Sequence, residues 1–152
     1  MTVTVTVAVA VAVAVAAAVA ERVPFINSRR GGPMSDSIPA LCHETLHVDQ
    51  AGIEFLSLTE GVFGTLPRGI AALVDPLRRA ALSICLNIAE GYGKQHPADR
   101  ARFYDFARGS AHECGAVFDV LGVKKLLAEG QLRQGKILLH RIVSMLVRMV
   151  NP

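Results

Sequence analysis

After residue 46, hydrophobic side chains recur at steps of three and four in four successive stretches, the spacing of α-helices that each have one apolar face. The first stretch runs from about His47 to Thr65, and the second contains Leu77 to Gly91. The third opens at His96 and Pro97, and the fourth follows Glu129 and Gly130. Four helices of about 20 residues, each about 30 Å long with short connections, suit an antiparallel up-and-down bundle. The sequence therefore predicts an all-α fold.

The apolar stripes also predict which side chains form the core of the bundle. In the first helix they are Val48, Ala51, Phe55, Leu58, Val62 and Thr65, and in the second Leu77, Ala81, Ile84 and Ile88. In the third helix they are Phe103, Phe106, Ala107, Ser110, Cys114, Val117, Phe118 and Leu121. In the fourth helix they are Leu132, Leu139, Ile142, Leu146 and Met149. Few of these positions are aromatic, so the core should pack mainly through aliphatic side chains.

The second helix has an irregular start. Helical spacing is already present at Ile70 and Leu73, but Pro76 interrupts it and lacks a backbone donor. Asp75 and Pro76 together suit a helix cap and first turn, so the helix is predicted either to kink or to restart near this pair. Gly91 and Gly93 are predicted to end it.

Residues 1–20 form a low-complexity segment of alternating Val with Thr or Ala that carries no charged side chain. Its alternation has the period of a β-strand, its small residues suit a signal peptide without a basic start, and its length barely suits a membrane span. We favour a fourth interpretation, a repetitive extension outside the fold. A linker ending in Gly31, Gly32 and Pro33 follows, so residues 1–33 are predicted to lie outside the core and residues 34–152 to form the bundle.

A second stripe on the second helix is polar and accompanies the apolar one. Ser and Asn are unfavourable within helices unless their side chains find hydrogen-bond partners, so this stripe favours a seam against a neighbouring helix. Two polar residues of the third helix, three apart on one face, could complete it. The predicted seam consists of Arg79, Ser83, Asn87, Glu90, Ser110 and Glu113. We interpret it as structural, fixing helix register or a contact between protomers.

The formal charge of +3 conceals a strong asymmetry along the chain. Residues 34–66 contain five acids and no Lys or Arg, a net charge of 0 − 5 = −5. Residues 123–152 contain six bases and one acid, a net charge of 6 − 1 = +5. The two segments could attract each other within or between protomers, or the bases could form a surface for nucleic acid. The candidate nucleic-acid residues are Arg100, Arg102, Arg108, Lys124, Lys125, Arg133, Lys136, Arg141 and Arg148.

Residues that could carry catalysis or hold a metal are sparse. Three cysteines lie far apart without a C-x-x-C spacing, which argues against a disulfide framework and favours a reducing cytoplasm. His43 and His47 are four residues apart, but no second cluster of metal ligands accompanies them. His112 and Cys114 lack a recognisable oxyanion site. We therefore predict no catalytic residues, no metal and no cofactor.

Two motifs carry a family resemblance. R-R-A-A-L-S-I-C-L-N-I-A-E-G at Arg78 to Gly91 and A-R-G-S-A-H-E at Ala107 to Glu113 resemble the four-helix-bundle proteins encoded in intervening sequences of bacterial 23S ribosomal RNA genes. The resemblance covers roughly Leu46 to Met149, although the family more often has Gln than Pro at position 76. It implies a small helical bundle that assembles into a ring of five. One relative is an accessory protein of diversity-generating retroelements that binds nucleic acid and a reverse transcriptase.

The expected function is thus that of a non-enzymatic, cytoplasmic accessory protein. It would form a homo-oligomer, with five protomers as the expected number, and would bind structured nucleic acid through exposed Lys and Arg, with RNA preferred and DNA as the alternative. A reverse transcriptase is a further partner by family analogy, and no membrane association is expected. The alternative is a protein-interaction scaffold that binds no nucleic acid.

Overall fold

The computed structural model describes residues 40–67 and 69–150. They form four helices, α1 (His47–Phe63), α2 (Ala71–Gly93), α3 (Pro97–Val123) and α4 (Glu129–Val150), preceded by a short 3₁₀ turn, Cys42–Thr45. No strand occurs in this part of the chain, and the all-α prediction is confirmed. The four helices belong to one compact unit, Ala40–Pro152. The extension predicted at residues 1–33 lies outside the described residues.

Consecutive helices pack side by side, and α4 closes the bundle by packing against α1. The residues that meet show that neighbours run in opposite directions. Ser83 meets Ser110, whereas the later Gly91 of α2 lies against the earlier Tyr104 of α3. Likewise, Gly122 of α3 lies close to Leu132 of α4, and the earlier Phe118 lies close to Gly135. The arrangement is the predicted up-and-down bundle.

A continuous hydrophobic core joins all four helices. Phe55 of α1 and Phe118 of α3 are fully buried, with ring centroids 5.5 Å apart. Around them pack aliphatic side chains with almost no exposed surface, among them Leu77, Ile84, Ile88, Leu121, Ile142 and Leu146. Burying each such side chain contributes roughly 1.5–3 kcal/mol before the entropy of ordering is subtracted. This core fixes which sides of the helices face outward.

The inward side of α3 differs from the predicted one by a rotation about the helix axis. Phe106 was expected to be buried but is 47% exposed, whereas Tyr104 is 2% exposed. The inward positions of α3 step regularly by three and four through Tyr104, Ala107, Ala111, Cys114, Phe118 and Leu121. Gly91 makes room for the tyrosine, since a Cβ there would lie 2.7 Å from Tyr104 Cε1. Thr65 was also expected on an inward stripe but is exposed in the turn after α1.

The α2 helix does not restart at Asp75. It begins at Ala71, with the carbonyl of Ile70 accepting from the amides of Leu73 and Val74. Pro76 therefore lies within the helix, where it cannot donate the bond that an ordinary residue would give to the carbonyl four residues earlier. The helix then continues to Gly93, close to the predicted end. Among the described residues, no helix combines the length and hydrophobicity needed to cross a bilayer.

Candidate nucleic-acid interface

The helix α4 carries positive charge without compensating acids. After Glu129 it contains no Asp or Glu through Val150, and it contains four bases, Arg133, Lys136, Arg141 and Arg148. Its inward side is held against the core by Leu138, Leu139, Ile142 and Leu146, which are all buried. The apolar stripe thus turns the three arginines toward solvent, where all are exposed.

The three arginines share one side of α4. With about 100° per residue, the eight residues from Arg133 to Arg141 turn the helix by about 800°, or 80° beyond two full turns. The 15 residues from Arg133 to Arg148 turn the helix by about 1,500°, which places Arg148 about 60° from Arg133 around the helix axis. At about 1.5 Å per residue the row is about 22 Å long. No acid lies within 4 Å of these guanidinium groups among the described residues, so the row presents uncompensated charge.

Two of the predicted nucleic-acid residues are neutralised by acids of the chain. Lys136 Nζ lies 2.6 Å from Asp119 Oδ2 and also donates to the carbonyl of Gly115 at 3.2 Å. Arg108 Nη2 lies 3.0 Å from Asp105 Oδ1, although the oxygen makes no hydrogen bond of good geometry, so this contact is an ion pair alone. Because both bases are already paired with an acid, they should attract a polyanion less strongly than the sequence alone indicates.

Lys124 and Lys125 lie in the connection that leads into α4, and both are exposed. Lys125 has a φ of 56°, the left-handed conformation that usually falls to glycine. This conformation closes the end of α3, because it lets Leu126 N–H donate to the carbonyl of Leu121 at 3.0 Å. The lysine is thus held at a position where glycine would fit with less strain.

Arg100 and Arg102 lie on α3 and are not part of the α4 row. Arg100 Nη2 donates to the carbonyl of Lys94 at 3.0 Å, at the start of the helix. The guanidinium of Arg102 lies over the Phe106 ring, 5.4 Å from its centroid. Of the nine predicted bases, five lie along the α3–α4 connection and the outer side of α4 without an ion pair among residues 40–67 and 69–150. They are Lys124, Lys125, Arg133, Arg141 and Arg148.

The structure brings together three of the six predicted seam residues. Asn87 Nδ2 donates to Ser83 Oγ at 3.0 Å and to the Ser83 carbonyl at 2.8 Å, and Ser83 Oγ lies 2.8 Å from Ser110 Oγ. Ser110 Oγ donates to the carbonyl of Phe106 at 3.1 Å, so Ser83 is the donor between the two hydroxyls. The two hydroxyls and the Asn87 amide nitrogen each have a hydrogen-bond partner. It ties α2 to α3 about midway along both helices.

The other three seam residues lie on the surface. Arg79, Glu90 and Glu113 are exposed, and Glu90 pairs with Lys94 at 3.0 Å. No ion pair joins Arg79 to Glu113 among the described residues. Within one chain the seam is therefore a line of neutral hydrogen bonds rather than a buried charge network.

An apolar patch borders this seam on its outer side. Leu82 and Leu86 of α2 are 47% and 59% exposed, and Phe106 of α3 is 47% exposed. Helical spacing places them beside Ser83 and Ser110, with four charged residues nearby. We define the α2–α3 outer face as the three apolar and four charged residues: Leu82, Leu86, Phe106, Arg79, Glu90, Arg102 and Glu113. Sequence reasoning missed it because it assigned Phe106 to the core. The signal was present, since Leu82 and Leu86 do not fit the inward stripe of Leu77, Ala81, Ile84 and Ile88.

The cysteines of the core are chemically quiet. Burial, with a smaller contribution from the nearby Asp49, raises the pKa of the Cys85 thiol to about 11. Burial likewise raises the pKa of the fully enclosed Cys114 to about 12, with a smaller contribution from Glu113. A cysteine nucleophile reacts as the thiolate, which these environments disfavour at neutral pH. Within residues 40–67 and 69–150, no three His, Cys, Asp or Glu lie together in a way that could hold a metal ion.

Comparison with known proteins points to one family. The sequence model described as 23S rRNA-intervening sequence protein matches residues 44–148. The fold is similar to the crystal structure of a protein with unknown function from the S23 ribosomal protein family of Bacteroides thetaiotaomicron VPI-5482, with a TM-score of 0.64. The similarity covers 69% of this chain and 99% of that one at 19% sequence identity, so it informs on the fold alone. The comparison with curated proteins gives no match.

Proposed function

This chain belongs to the 23S rRNA-intervening sequence protein family, and on that premise we propose that it is a non-enzymatic accessory protein that binds structured RNA through α4. We propose further that copies of the chain assemble through the α2–α3 outer face. The observation that carries the RNA proposal is the row of Arg133, Arg141 and Arg148, about 22 Å long and without an acidic partner in the described residues.

The chemistry of α4 favours contacts with phosphates. Arg is well suited to phosphate because its planar guanidinium donates two parallel hydrogen bonds. The helix contains no Phe, Tyr or Trp from Glu129 to Val150, so it lacks the large aromatic rings on which unpaired bases stack best. Proteins that bind single strands depend on such stacking, whereas duplex RNA is recognised mainly by its shape and backbone. We therefore expect duplex segments of a structured RNA to be the preferred ligand.

The case for self-assembly rests on a different surface. Exposed Leu82, Leu86 and Phe106 resemble the apolar centre of a protein interface more than an ordinary solvated helix face. The charges nearby have both signs, two arginines and two glutamates, which suits contact with a second copy of the same chain. A ring of five protomers is the number that the family resemblance implies.

The rival function is a scaffold in which the bases of α4 bind an acidic partner, for instance α1 of a neighbouring protomer. The structure reduces the acidic surface that this requires. Asp49 is buried, and Glu60 approaches Arg78 at 3.8 Å, which leaves Glu44 and Glu54 as the exposed acids of residues 40–67 without a pairing partner there. We therefore favour RNA as the partner of α4.

The test is a gel-shift titration at several salt concentrations, with a duplex RNA hairpin and a single strand of equal length as ligands and heparin as competitor. We expect the hairpin to bind more tightly than about 10⁻⁴ M at physiological salt, with log K falling linearly as log salt rises. Replacing Arg133, Arg141 and Arg148 by Gln should reduce the magnitude of that slope by about three, one for each lost phosphate contact.

Lys136→Gln is the matched control, because this base of the same helix already pairs with Asp119. It should change the RNA affinity by no more than about twofold, as expected for a charge that contacts no phosphate. Absence of hairpin binding would contradict the proposal and favour the scaffold. Equal loss of binding with Lys136→Gln and with the triple variant would show that the arginine row is not the binding surface.

A further inference from the structure

A pocket of about 510 Å³ lies at the end of the bundle where α1 and α3 begin and α2 and α4 end. All four helix ends contribute to its lining. The lining residues are Leu46 just before α1, Tyr92 near the end of α2, Arg100 and Tyr104 near the start of α3, and Met149 near the end of α4. The two tyrosines are the only ones in the sequence, and both line this space. The size falls within the range of about 300–1,000 Å³ that is usual for small-molecule sites. Of the α4 row, only Arg148 belongs to the helix turn that contributes to this pocket, whereas Arg133 and Arg141 lie earlier on α4.

Tyr104 is held at the base of the pocket. Its residue is 2% exposed, and the absence of a side chain at Gly91 is what allows the ring to sit there. Its hydroxyl makes no hydrogen bond with any residue in 40–67 or 69–150. Burial raises the pKa of Tyr104, while Arg100 opposes this effect, so the hydroxyl is protonated at neutral pH and can donate a hydrogen bond. The ring is buried, but the hydroxyl oxygen is not fully enclosed, and Tyr104 lines the pocket, so a ligand there could accept the hydrogen bond that the hydroxyl offers.

Arg100 supplies a positive charge at the rim. One of its terminal nitrogens donates to the carbonyl of Lys94, which fixes the guanidinium against the α2–α3 connection. The group has five N–H donors, so most of them stay available. No acid lies within 4 Å of it among the described residues. The position thus offers an oriented donor set for an anion of phosphate geometry.

Tyr92 adds an exposed aromatic ring to the same space. It is 42% exposed, at the end of α2, and faces a pocket whose remaining lining is the apolar Leu46 and Met149. An aromatic ring next to a guanidinium offers both a stacking surface for a planar base and a donor for its phosphate. A base stacked on such a ring contributes roughly 1–3 kcal/mol.

We propose that this pocket binds a nucleoside monophosphate unit, with its phosphate on Arg100 and the Tyr104 hydroxyl and its base against Tyr92. The unit could be a free nucleotide or the 5′-terminal nucleotide of an RNA. The second source rests on the proposed function, whereas the first is independent of it. In either case, the site differs from the α4 row in reading one nucleotide instead of a duplex backbone.

Isothermal titration calorimetry of the full chain with AMP, adenosine and inorganic phosphate tests the proposal. We expect AMP to bind with a Kd of about 1 mM or below and at least about tenfold more tightly than either fragment. Arg100→Gln and Tyr92→Leu should each weaken AMP binding by about tenfold, and Tyr104→Phe, which keeps the packed ring, should weaken it by several-fold. Arg108→Gln is the control on the same helix and should leave AMP affinity unchanged, since that guanidinium pairs with Asp105 and does not line the pocket.

A second arm compares a hairpin RNA with a 5′-phosphate and the same RNA with a 5′-hydroxyl. A preference for the phosphorylated end that disappears in Arg100→Gln would identify the RNA terminus as the source, and equal binding of the two RNAs beside AMP binding would identify a free nucleotide. The inference is overturned if AMP does not bind, binds no better than phosphate, or binds all pocket variants equally. Hairpin binding through α4 without AMP binding would overturn this inference while leaving the proposed function intact.

Discussion

The α2–α3 outer face and the outer side of α4 are built on the same core and both expose aliphatic side chains, but they differ in their charge. The first presents Leu82, Leu86 and Phe106 with charges of both signs beside them. The second presents Arg133, Arg141 and Arg148 with no acid on the helix after Glu129. A mixed and partly apolar surface suits a protein partner, whereas uncompensated charge of one sign suits a polyanion. This contrast is the reason why we propose two separate tasks for one small bundle.

The largest expected effect is on assembly, from Leu86→Glu. This side chain is 59% exposed, so the change should leave the folded chain intact while placing a charge within the proposed interface. We expect light scattering to show complete dissociation to monomers at micromolar concentration. Ile137→Glu is the matched control, because it puts the same charge at a 57% exposed aliphatic position on α4. It should leave the mass unchanged and weaken RNA binding, and a reversed outcome would exchange the roles of the two faces.

The next effect concerns the core that both faces share. Gly135→Ala should lower the free energy of unfolding by about 1–3 kcal/mol, because the added Cβ would collide with the buried Phe118 ring. Gly109→Ala on α3 is the control, since a Cβ there meets nothing within 4 Å. That change should be neutral or stabilise by up to about 1 kcal/mol through helix propensity. Urea denaturation measures both, and equal destabilisation by the two variants would refute the collision.

A smaller effect should distinguish the neutral from the charged parts of the seam. A double-mutant cycle of Ser83→Ala and Ser110→Ala should give a coupling energy of about 0.5–1.5 kcal/mol, the usual range for a hydrogen bond. The cycle of Arg79→Ala and Glu113→Ala should give a coupling near zero in the monomeric Leu86→Glu background, because both residues are exposed and unpaired in the described chain. Strong coupling between Arg79 and Glu113 in that background would show that the two charged residues interact within one chain, as the predicted seam required.

The smallest effect is expected in the connection before α4. Lys125→Gly should raise the free energy of unfolding by up to about 1 kcal/mol, because glycine adopts the observed φ of 56° with less strain. If the connection contributes to RNA binding, the same change should weaken affinity slightly while stabilising the fold. Lys124→Gly, at an ordinary helical φ of −75°, should instead be neutral or destabilising. Stabilisation by both would rule out relief of backbone strain.

The helices could be predicted from the sequence because their apolar spacing and their proline and glycine boundaries are local properties. The orientation of α3 was harder to predict, since Phe103, Tyr104 and Phe106 offer more apolar positions than one helical side can bury. The choice depends on Gly91, a residue on another helix whose position relative to Tyr104 requires the register of the packed pair. Local spacing alone does not contain that register.

The candidate sites also combine features that follow from local spacing with features that depend on how the helices pack. The seam of Ser83 and Asn87 with Ser110 was predicted from helical spacing, but the bond between Asn87 and Ser83 and the exposure of Glu113 required the three-dimensional structure. Counting charges identified the basic end of the chain as a candidate region. It could not reveal that Asp119 neutralises Lys136, because the two residues meet only when α4 folds back on α3. Nor could it show that both tyrosines line one pocket.

The most direct test of the two-face account measures molecular mass and RNA affinity in the same samples, by light scattering and salt-dependent titration. The variants are Leu86→Glu and the triple Gln replacement of Arg133, Arg141 and Arg148. We expect the triple variant to keep its assembled mass and lose about three units of salt slope, one for each phosphate contact removed. We expect Leu86→Glu to become monomeric and to keep the slope measured for each protomer. Dissociation of the triple variant with unchanged affinity for each protomer would contradict the account.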